Sequence, residues 1–445
     1  MEACAGMSAH TRVRPEPFLW GAATSAHAVE GGNFNSDWWR WEQRPGRIRD
    51  SASSKAAAGH FTRYREDFAL ARKLGHRAHL FVMEWSRIEP APGRFDDGAI
   101  EHYGDVFDAL AAAGLEPVCA LQHVTSPGWF GEMGGWAGRD AARLFEGYAQ
   151  RVADAFGKKC RWWIPILEPM HLIEMAYLEG LWPPGQGSVP GGAKAFCHVA
   201  QAHASAWRAL HDVRGDVMVG ASTRARRFRS LNEHSAWDYR AAMRETARCN
   251  QWLFDAVTGG KWPRIPGFRP ADVSGTADFL AFSYYGTEFL KFNAFRPGRL
   301  FCQVVDEGSG PVGNPQPRPC ADGLGDIIEA YGRYELPLVI SGNGIATGDD
   351  GARCRFLLDH VSVVLDCMKK GGDLRGYFWY SLLDGFEWME GYGARYGLIH
   401  VDPSSQARTP NGSAYLYRDI CESGSVRRGA VDQFCPGWNE REAER

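Results

Sequence analysis

Eight short apolar runs recur along the whole chain, and the stretches between them include segments with the pattern of helices. The runs are mostly continuous in hydrophobicity rather than alternating, as expected of strands that are buried on both faces. They cover residues 18–25, 76–84, 116–123, 161–169, 216–223, 278–286, 337–344 and 376–384. Eight buried strands that alternate with helices predict an α/β protein built as a single (β/α)8 TIM barrel.

The intervening segments support this fold class. Apolar residues recur at spacings of three and four before a glycine, which is typical of helices that end at that glycine. Four such segments are residues 60–75, 96–114, 139–157 and 354–372. The alternative fold, two doubly wound halves, would need a phosphate-binding glycine loop after the first strand, and FLWGAATSAHAVEGG (18–32) is not such a loop.

The expected domain organisation is therefore simple. We predict one barrel domain over residues 17–445, preceded by a flexible extension over residues 1–16. The Gly/Pro-rich stretch 308–323 is interpreted as a long loop between the sixth and seventh strands rather than as a domain boundary.

Composition limits the classes of partner. The net charge is −3 without long single-sign runs, which indicates neither a nucleic-acid groove nor a membrane surface. No apolar run is long enough to span a bilayer, and residues 1–16 lack the hydrophobic segment of a secretory signal, so we expect a cytoplasmic protein. The 11 cysteines include no CxxC pair, which predicts reduced thiols rather than disulfides or a zinc site. The expected partner is a small molecule, with no metal or cofactor.

Catalytic side chains of TIM barrels lie at the carboxyl ends of the strands. Eight residues at or just beyond the ends of the predicted strands are therefore candidates for a functional role: Glu30, Glu84, His123, Glu168, Tyr285, Gly342, Asp384 and Glu387. Any single one of them can equally be structural, capping a loop or pairing with an arginine of the barrel.

Eight segments, in order and spacing, resemble the signature segments of glycoside hydrolase family 1, the β-glucosidases and their relatives. They are FLWGAATSAHAVEGG, HFTRYREDFALARKLG, MEWSRIEPAPG, GGWAGRDAARLFEGYA, WIPILEP, DFLAFSYYG, VISGNG and YFWYSLLDGFEWMEGYGARYGLIHVD. The resemblance runs from about residue 17 to about residue 420. It implies a TIM barrel, no metal, and an active pocket at the barrel mouth.

The resemblance also implies a chemistry, retaining hydrolysis by two carboxylates about 5 to 5.5 Å apart. The family's acid/base position corresponds to Glu168, within Leu167-Glu168-Pro169. Its nucleophile position corresponds to Gly342, within Ser341-Gly342-Asn343-Gly344, which has no carboxylate. Without a nucleophile no covalent glycosyl-enzyme can form, so we do not expect ordinary retaining hydrolysis.

Other positions that the resemblance assigns to the sugar pocket have changed as well. Residues that are polar, charged or aromatic in the family are replaced here by Ala28, Leu80, Val124, Leu167, Ser283 and Tyr380. The positions that are kept are Glu387, Trp388, His123, Tyr285 and Asn343. An engineered glycosynthase would keep the whole pocket, so the joint changes favour natural remodelling over replacement of the nucleophile in the laboratory.

The sequence leaves three functions open. In the first, Glu168 acts as a general acid/base on a small substrate that can carry a sugar, because a carboxyl beside Leu167 and Leu80 should be desolvated and hold its proton. In the second, the chain is a glycosynthase-type variant, with glycine in place of glutamate at position 342. In the third, it binds a glycoside or an aglycone without catalysis.

Overall fold

The structure is a computed structural model that describes residues 17–264, 271–296, 299, 301–305 and 317–439. Eight parallel strands follow one another around a barrel in the order β5-β4-β3-β2-β1-β9-β8-β6, and pairing between β5 and β6 closes the ring. The strands are β1 Leu19–Thr24, β2 Ala78–Val82, β3 Glu116–Ala120, β4 Trp162–Ile164, β5 Met218–Ser230, β6 Phe279–Phe292, β8 Leu338–Asn343 and β9 Leu374–Tyr380. The predicted (β/α)8 barrel is confirmed.

Two strands run well beyond the apolar segments that predicted them. β5 and β6 continue to Ser230 and Phe292, with a register shift between Ala225 and Arg227. A short strand β7, Cys302–Val305, pairs antiparallel with the outer part of β6. This extension was missed because outside the barrel one face of the strands meets solvent, so the continuous apolar run ends although backbone pairing goes on. A separate ribbon pairs β10 Ile399–Val401 with β11 Arg408–Pro410.

Helices surround the barrel. They are α1 Ala26–Val29, α2 Asp37–Glu42, α3 His60–Lys73, α4 Trp85–Ile88, α5 Asp97–Ala113, α6 Gly128–Glu132, α7 Ala141–Phe156, α8 Pro169–Leu172, α9 Val189–Val213, α10 Ala236–Thr246, α11 Trp252–Gly259, α12 Ala321–Gly332, α13 Asp350–Lys369, α14 Gly412–Ser423 and α15 Arg428–Phe434. Two π-helical segments, Ile173–Leu178 and Ala247–Gln251, continue α8 and α10, and 3₁₀ turns lie at Arg49–Ser51, Gly135–Ala137 and Trp388–Glu390. All four helices predicted from the periodicity are present, as α3, α5, α7 and α13.

α5 shows how the sequence sets these boundaries. The carboxylate of Asp96 accepts a hydrogen bond from the backbone N–H of Ala99 at its start, and Gly114 ends it in the left-handed conformation at φ 67°. Its apolar face, which includes Phe107 and Leu110, is buried against the barrel core.

The core has two layers. Side chains that point into the barrel form one buried cluster, and side chains between the strands and the helices form a larger one. Leu80 and Leu167 belong to the inner cluster, together with Ile164 and Phe378. Full burial of such a side chain contributes about 1.5–3 kcal/mol. The inner cluster fills the barrel, so a ligand site is left at the carboxyl ends of the strands.

Some expectations fall outside the described residues. These are the extension 1–16, residues 308–316 of the predicted loop, and the last six residues. α12 begins at Ala321, so the end of the predicted loop at residue 323 is three residues too late. The ten described cysteines are free thiols. Among the described helices, none has both the length and the apolar character needed to cross a membrane.

Candidate active site

A pocket of about 910 Å³, counting the space that opens to solvent, lies at the carboxyl ends of the strands. It collects side chains from widely separated parts of the chain. Its lining includes Leu80, His123, Val124, Leu167, Glu168, His171, Trp182, Arg224, Tyr285, Tyr380, Glu387, Trp388, Glu390 and Tyr396. Nine residues that the sequence assigned to the site are therefore brought together here.

Glu168 follows β4 at the start of α8. Its backbone has the left-handed conformation, with φ 52°, and Pro169 opens the helix directly after it. The backbone N–H of Glu168 donates to the Ser222 hydroxyl at 3.3 Å. The Ser283 hydroxyl donates a hydrogen bond to Oε1 of the Glu168 carboxyl. Neighbouring strands β5 and β6 thus hold both the backbone and the side chain of Glu168.

His123 lies on the other side of the Glu168 carboxyl. Its Nε2 is 4.0 Å from Glu168 Oε2, and its Nδ1 is 2.9 Å from the hydroxyl of Ser25. Burial lowers the pKa of His123, although the Glu168 carboxylate acts in the opposite direction. The ring is therefore neutral at pH 7, and its Nε2 either donates or accepts a hydrogen bond according to the tautomer.

Gly342 lies in β8 beside Ser283 of β6, the residue whose hydroxyl contacts the Glu168 carboxyl, and it does not line the pocket. A Cβ atom on Gly342 would be 2.9 Å from the Tyr285 hydroxyl, 3.2 Å from Cβ of Ser283 and 3.7 Å from Cβ of Tyr380. The first distance is shorter than real Cβ contacts. A side chain at position 342 would therefore require Tyr285 to move.

A second carboxyl, Glu387, also lines the pocket. Tyr380 donates a hydrogen bond to it, at 3.2 Å from each carboxyl oxygen. Burial raises the pKa of Glu387 to about 8, and the charge of Asp384 acts in the same direction while the Tyr380 hydrogen bond opposes it. Glu387 is accordingly protonated at neutral pH. The next residue, Trp388, packs edge-on to His123 at 5.7 Å and lies 5.9 Å from Trp182 between ring centres.

Comparison with known proteins places this arrangement in a family. The family model described as Glycosyl hydrolase family 1 matches residues 10–425, which is nearly the whole chain. The chain belongs to glycosyl hydrolase family 1. Beta-glucosidase A of Thermotoga maritima is 28% identical over 441 residues, covering 93% of this chain and 98% of that protein. A beta-glucosidase of Agrobacterium sp. is 29% identical, covering 91% of this chain and 94% of that protein.

The fold comparison agrees. A solved beta-glycosidase from Pyrococcus horikoshii superposes with a TM-score of 0.87 at 32% identity, covering 96% of this chain and 98% of that one. The glycosyl hydrolase family 1 barrel is thus retained from end to end.

Four of the predicted site residues do not reach the pocket of this family 1 barrel. Ala28, Ser283, Gly342 and Asn343 are absent from its lining. Ser283 contacts the pocket only indirectly, because its hydroxyl donates a hydrogen bond to the Glu168 carboxyl. Asn343 is fully buried, with its amide donating to the Tyr284 carbonyl and accepting from the Tyr377 hydroxyl, so the structure places it in the barrel wall rather than against a ligand.

Three other strand-end carboxylates have partners within the protein. Glu30 pairs with Arg87 at 2.8 Å, and Asp384 lies 2.7 Å from His400. Glu84 accepts hydrogen bonds from Ser86 and Thr125. These contacts give each carboxylate a structural role.

The sequence reasoning missed Arg224, which brings a positive charge into the pocket where Leu80 and Leu167 predicted desolvated surroundings. Its guanidinium lies 4.9 Å above the ring of Tyr285, and Nη1 is 2.8 Å from Nε2 of His171. A signal was available, since Arg224 directly follows the apolar run 216–223, yet no residue at the end of that strand was considered. Trp182, Tyr396 and His171 follow no strand directly, so the strand-end rule could not find them.

One group of buried donors has the spacing of metal ligands. Oxygens of Glu174 and Glu245 and the Cys249 sulfur lie within 4.8 Å of one another. The Glu174 carboxylate, however, accepts from the guanidinium groups of Arg226, Arg248 and Arg299. These oxygens belong to a buried ion-pair network centred on Glu174, the Glu174 network.

Proposed function

We propose that this family 1 protein is an atypical acid–base enzyme, in which Glu168 transfers protons on a small ring-bearing substrate and no covalent glycosyl-enzyme forms. The observation that carries the proposal is the setting of Glu168. Its carboxyl lies in a pocket next to His123, while Gly342 on β8 offers no carboxylate and faces the hydroxyl of Tyr285.

The surroundings of Gly342 support natural remodelling rather than a single replaced residue. Tyr285 and Ser283 lie where the first atoms of a longer side chain would need space. The apolar positions Leu80 and Leu167 are packed into the inner core of the barrel. A glycosynthase-type variant would keep room for the missing glutamate, so this alternative is less well supported.

The two oxygens of Glu168 have different neighbours. Oε1 accepts the Ser283 hydrogen bond, which leaves Oε2, on the side of His123, to exchange a proton with a ligand. In a loss of water, for example, Glu168 protonates a substrate hydroxyl and the carbon–oxygen bond breaks with its electron pair on oxygen. Water leaves, and the neighbouring carbon returns a proton to Glu168 as a double bond forms.

The walls of the pocket indicate the substrate class. Trp182, Trp388, Tyr380 and Tyr396 offer aromatic faces of the kind that hold flat or sugar rings. Proteins similar to this chain are named beta-glucosidases, and one solved relative from Thermotoga maritima binds glucoimidazole. A glycoside or its aglycone is therefore the first class of substrate to test.

The absence of a glycosyl-enzyme is tested with nitrophenyl β-glycosides. The native chain, Gly342→Glu and Glu168→Gln are compared, each first shown to be folded. We expect none of them to release nitrophenol, because the other pocket changes remain in all three. Turnover restored by Gly342→Glu would overturn the proposal and identify a retaining glycosidase that has lost only its nucleophile.

The role of Glu168 is tested by following the consumption of compounds by mass spectrometry. A set of aryl glycosides and their aglycones is incubated with the native chain and with Glu168→Gln. We expect compounds that the native chain converts to persist with Glu168→Gln while still binding to it. Compounds that bind the native chain and are never converted would instead support the third function, binding without catalysis.

A further inference from the structure

Arg224 differs from the other arginines of its strand. Arg226 pairs with Glu174 and Glu288, Arg227 with Asp326, and Arg229 with Glu233. Within the described part of the chain, no carboxylate lies within 4.0 Å of Arg224. Its recorded polar partner is the neutral ring of His171, at 2.8 Å.

The guanidinium is held firmly in spite of this. Its Nη1 donates to Nε2 of His171, and its Cζ lies 4.9 Å from the Tyr285 ring centre. Burial, followed by the positive charge of Arg224, lowers the pKa of His171 well below its ordinary value, so this ring stays a neutral acceptor. Nε of Arg224 is buried and has no hydrogen-bond partner among the described residues. The guanidinium lines the pocket without a carboxylate partner in the described part of the chain, and a positive charge in that setting is costly unless a ligand compensates it.

The other charges of the pocket leave this cation uncompensated. Of the three carboxyl groups in the lining, Glu387 is protonated at neutral pH, and Glu390 pairs with Arg49 at 2.9 Å. The third, Glu168, has its contacts with His123 and Ser283 rather than with Arg224. An incoming anion would therefore meet a positive charge that no carboxylate of the pocket lining pairs with.

We propose that Arg224 binds an oxyanion of the substrate, a carboxylate or a phosphate, and that the substrate is therefore a ring compound carrying such a group. The inference deepens the proposed function, since it concerns the same pocket. A planar guanidinium suits an oxyanion because its N–H groups form charge-assisted hydrogen bonds to two oxygens. Arg224 is in register with Ser283 on β6, whose hydroxyl contacts Glu168, so the anion would lie beside the acid–base group.

The test compares matched probes by calorimetry and needs no turnover. Benzoate and phenyl phosphate carry the oxyanion, and benzamide and benzyl alcohol are their neutral counterparts. We expect the native chain to bind at least one anion about tenfold or more tightly than its neutral counterpart at neutral pH. The ratio between benzoate and phenyl phosphate tells which oxyanion fits.

Variants locate the effect. Arg224→Met should remove the preference for the anion and leave the binding of benzamide unchanged, and Arg224→Lys should keep part of it. Arg229→Gln is the matched control, because it removes an exposed arginine of the same strand. Equal binding of charged and neutral probes by the native chain would overturn the proposal, as would anion binding that survives in Arg224→Met.

These outcomes are separate from those for Glu168. Glu168→Gln should still bind benzoate or phenyl phosphate, because this change leaves Arg224 and its contacts with His171 and Tyr285 in place. Lost conversion with retained anion preference would support both proposals. Conversion without anion preference would contradict only the role of Arg224.

Discussion

The hydroxyl oxygen of Tyr285 lies 2.9 Å from the position that a Cβ atom on Gly342 would occupy. Ser283, from the same strand as Tyr285, would be 3.2 Å away. The backbone of Gly342 is not in the left-handed region, so a larger residue could adopt its conformation. The obstacle to a larger residue is the packing of neighbouring side chains. β6 therefore occupies space that β8 leaves open.

We expect Gly342→Ala to lower the free energy of unfolding by about 1 kcal/mol, the low end for overpacking, because the contact is with the end of a tyrosine side chain. Urea unfolding of Gly342→Ala, Tyr285→Phe and the double variant checks this. The double variant should lose less than the sum of the two single changes, since removal of the hydroxyl relieves the contact. Additive losses would contradict the contact.

Glu387 should make stability depend on pH. Its pKa rises from an ordinary value of 4.5 to about 8 in the fold, mainly through burial. Below pH 4.5 the carboxyl is protonated in both states; between there and about pH 8 the unfolded chain loses the proton that the folded chain keeps, so stability falls as pH rises. Glu387→Gln should therefore gain stability relative to the native chain between about pH 5 and about pH 8.

Urea unfolding at the two pH values measures this difference. Glu329→Gln, which changes an exposed carboxyl on α12, is the control and should show a much smaller change. A stability difference for Glu387→Gln that is the same at both pH values would mean that Glu387 ionises as an exposed carboxyl does.

The Glu174 network should be sensitive to the loss of one charge. Burial alone would raise the pKa of Glu174, but the charges of Arg226, Arg299 and Arg248 outweigh it and hold the pKa well below its ordinary value. Glu174→Gln leaves these buried guanidinium groups short of a negative charge. We expect a loss of about 3 kcal/mol or more in the free energy of unfolding.

The matched control is Glu233→Gln, which breaks the exposed pair with Arg229 and should cost less than about 1 kcal/mol. Guanidinium chloride screens such pairs, so both variants are compared in urea. Similar small losses for the two variants would show that the Glu174 network does not depend on its central charge.

Glu335 occupies a conformation suited to glycine. It is exposed just after α12 and has φ 54°. A residue with a Cβ atom is strained there by about 1 kcal/mol, so Glu335→Gly should raise the melting temperature slightly. Glu329→Gly, at an exposed position inside the same helix, should lower it because glycine is a poor helix former. A lower melting temperature for Glu335→Gly would contradict the prediction.

Much of the fold could be predicted from local patterns. Strands buried on both faces need continuous apolar runs. The runs around Leu80, Ile164 and Phe378 correctly predicted strands of the barrel. The extension of β5 and β6 to Ser230 and Phe292 could not be found in this way, because backbone hydrogen bonds hold it rather than an apolar core. The predicted loop was extended too far, to residue 323, for a related reason. The residues just before Ala321 show no apolar periodicity that would mark where the helix begins.

The sequence by itself determined the family, the barrel, and the positions of Glu168, His123, Glu387 and Trp388 at its mouth, because the end of each strand fixes where the next side chain emerges. Only the tertiary structure decided how these groups are charged and what surrounds them. It set Arg224 over Tyr285, Tyr380 on Glu387 and Tyr285 against Gly342. Each pair joins residues that are far apart in the chain or on different strands. Burial and charge act through space, so these contacts and their effects on charge could not be predicted from neighbours in sequence.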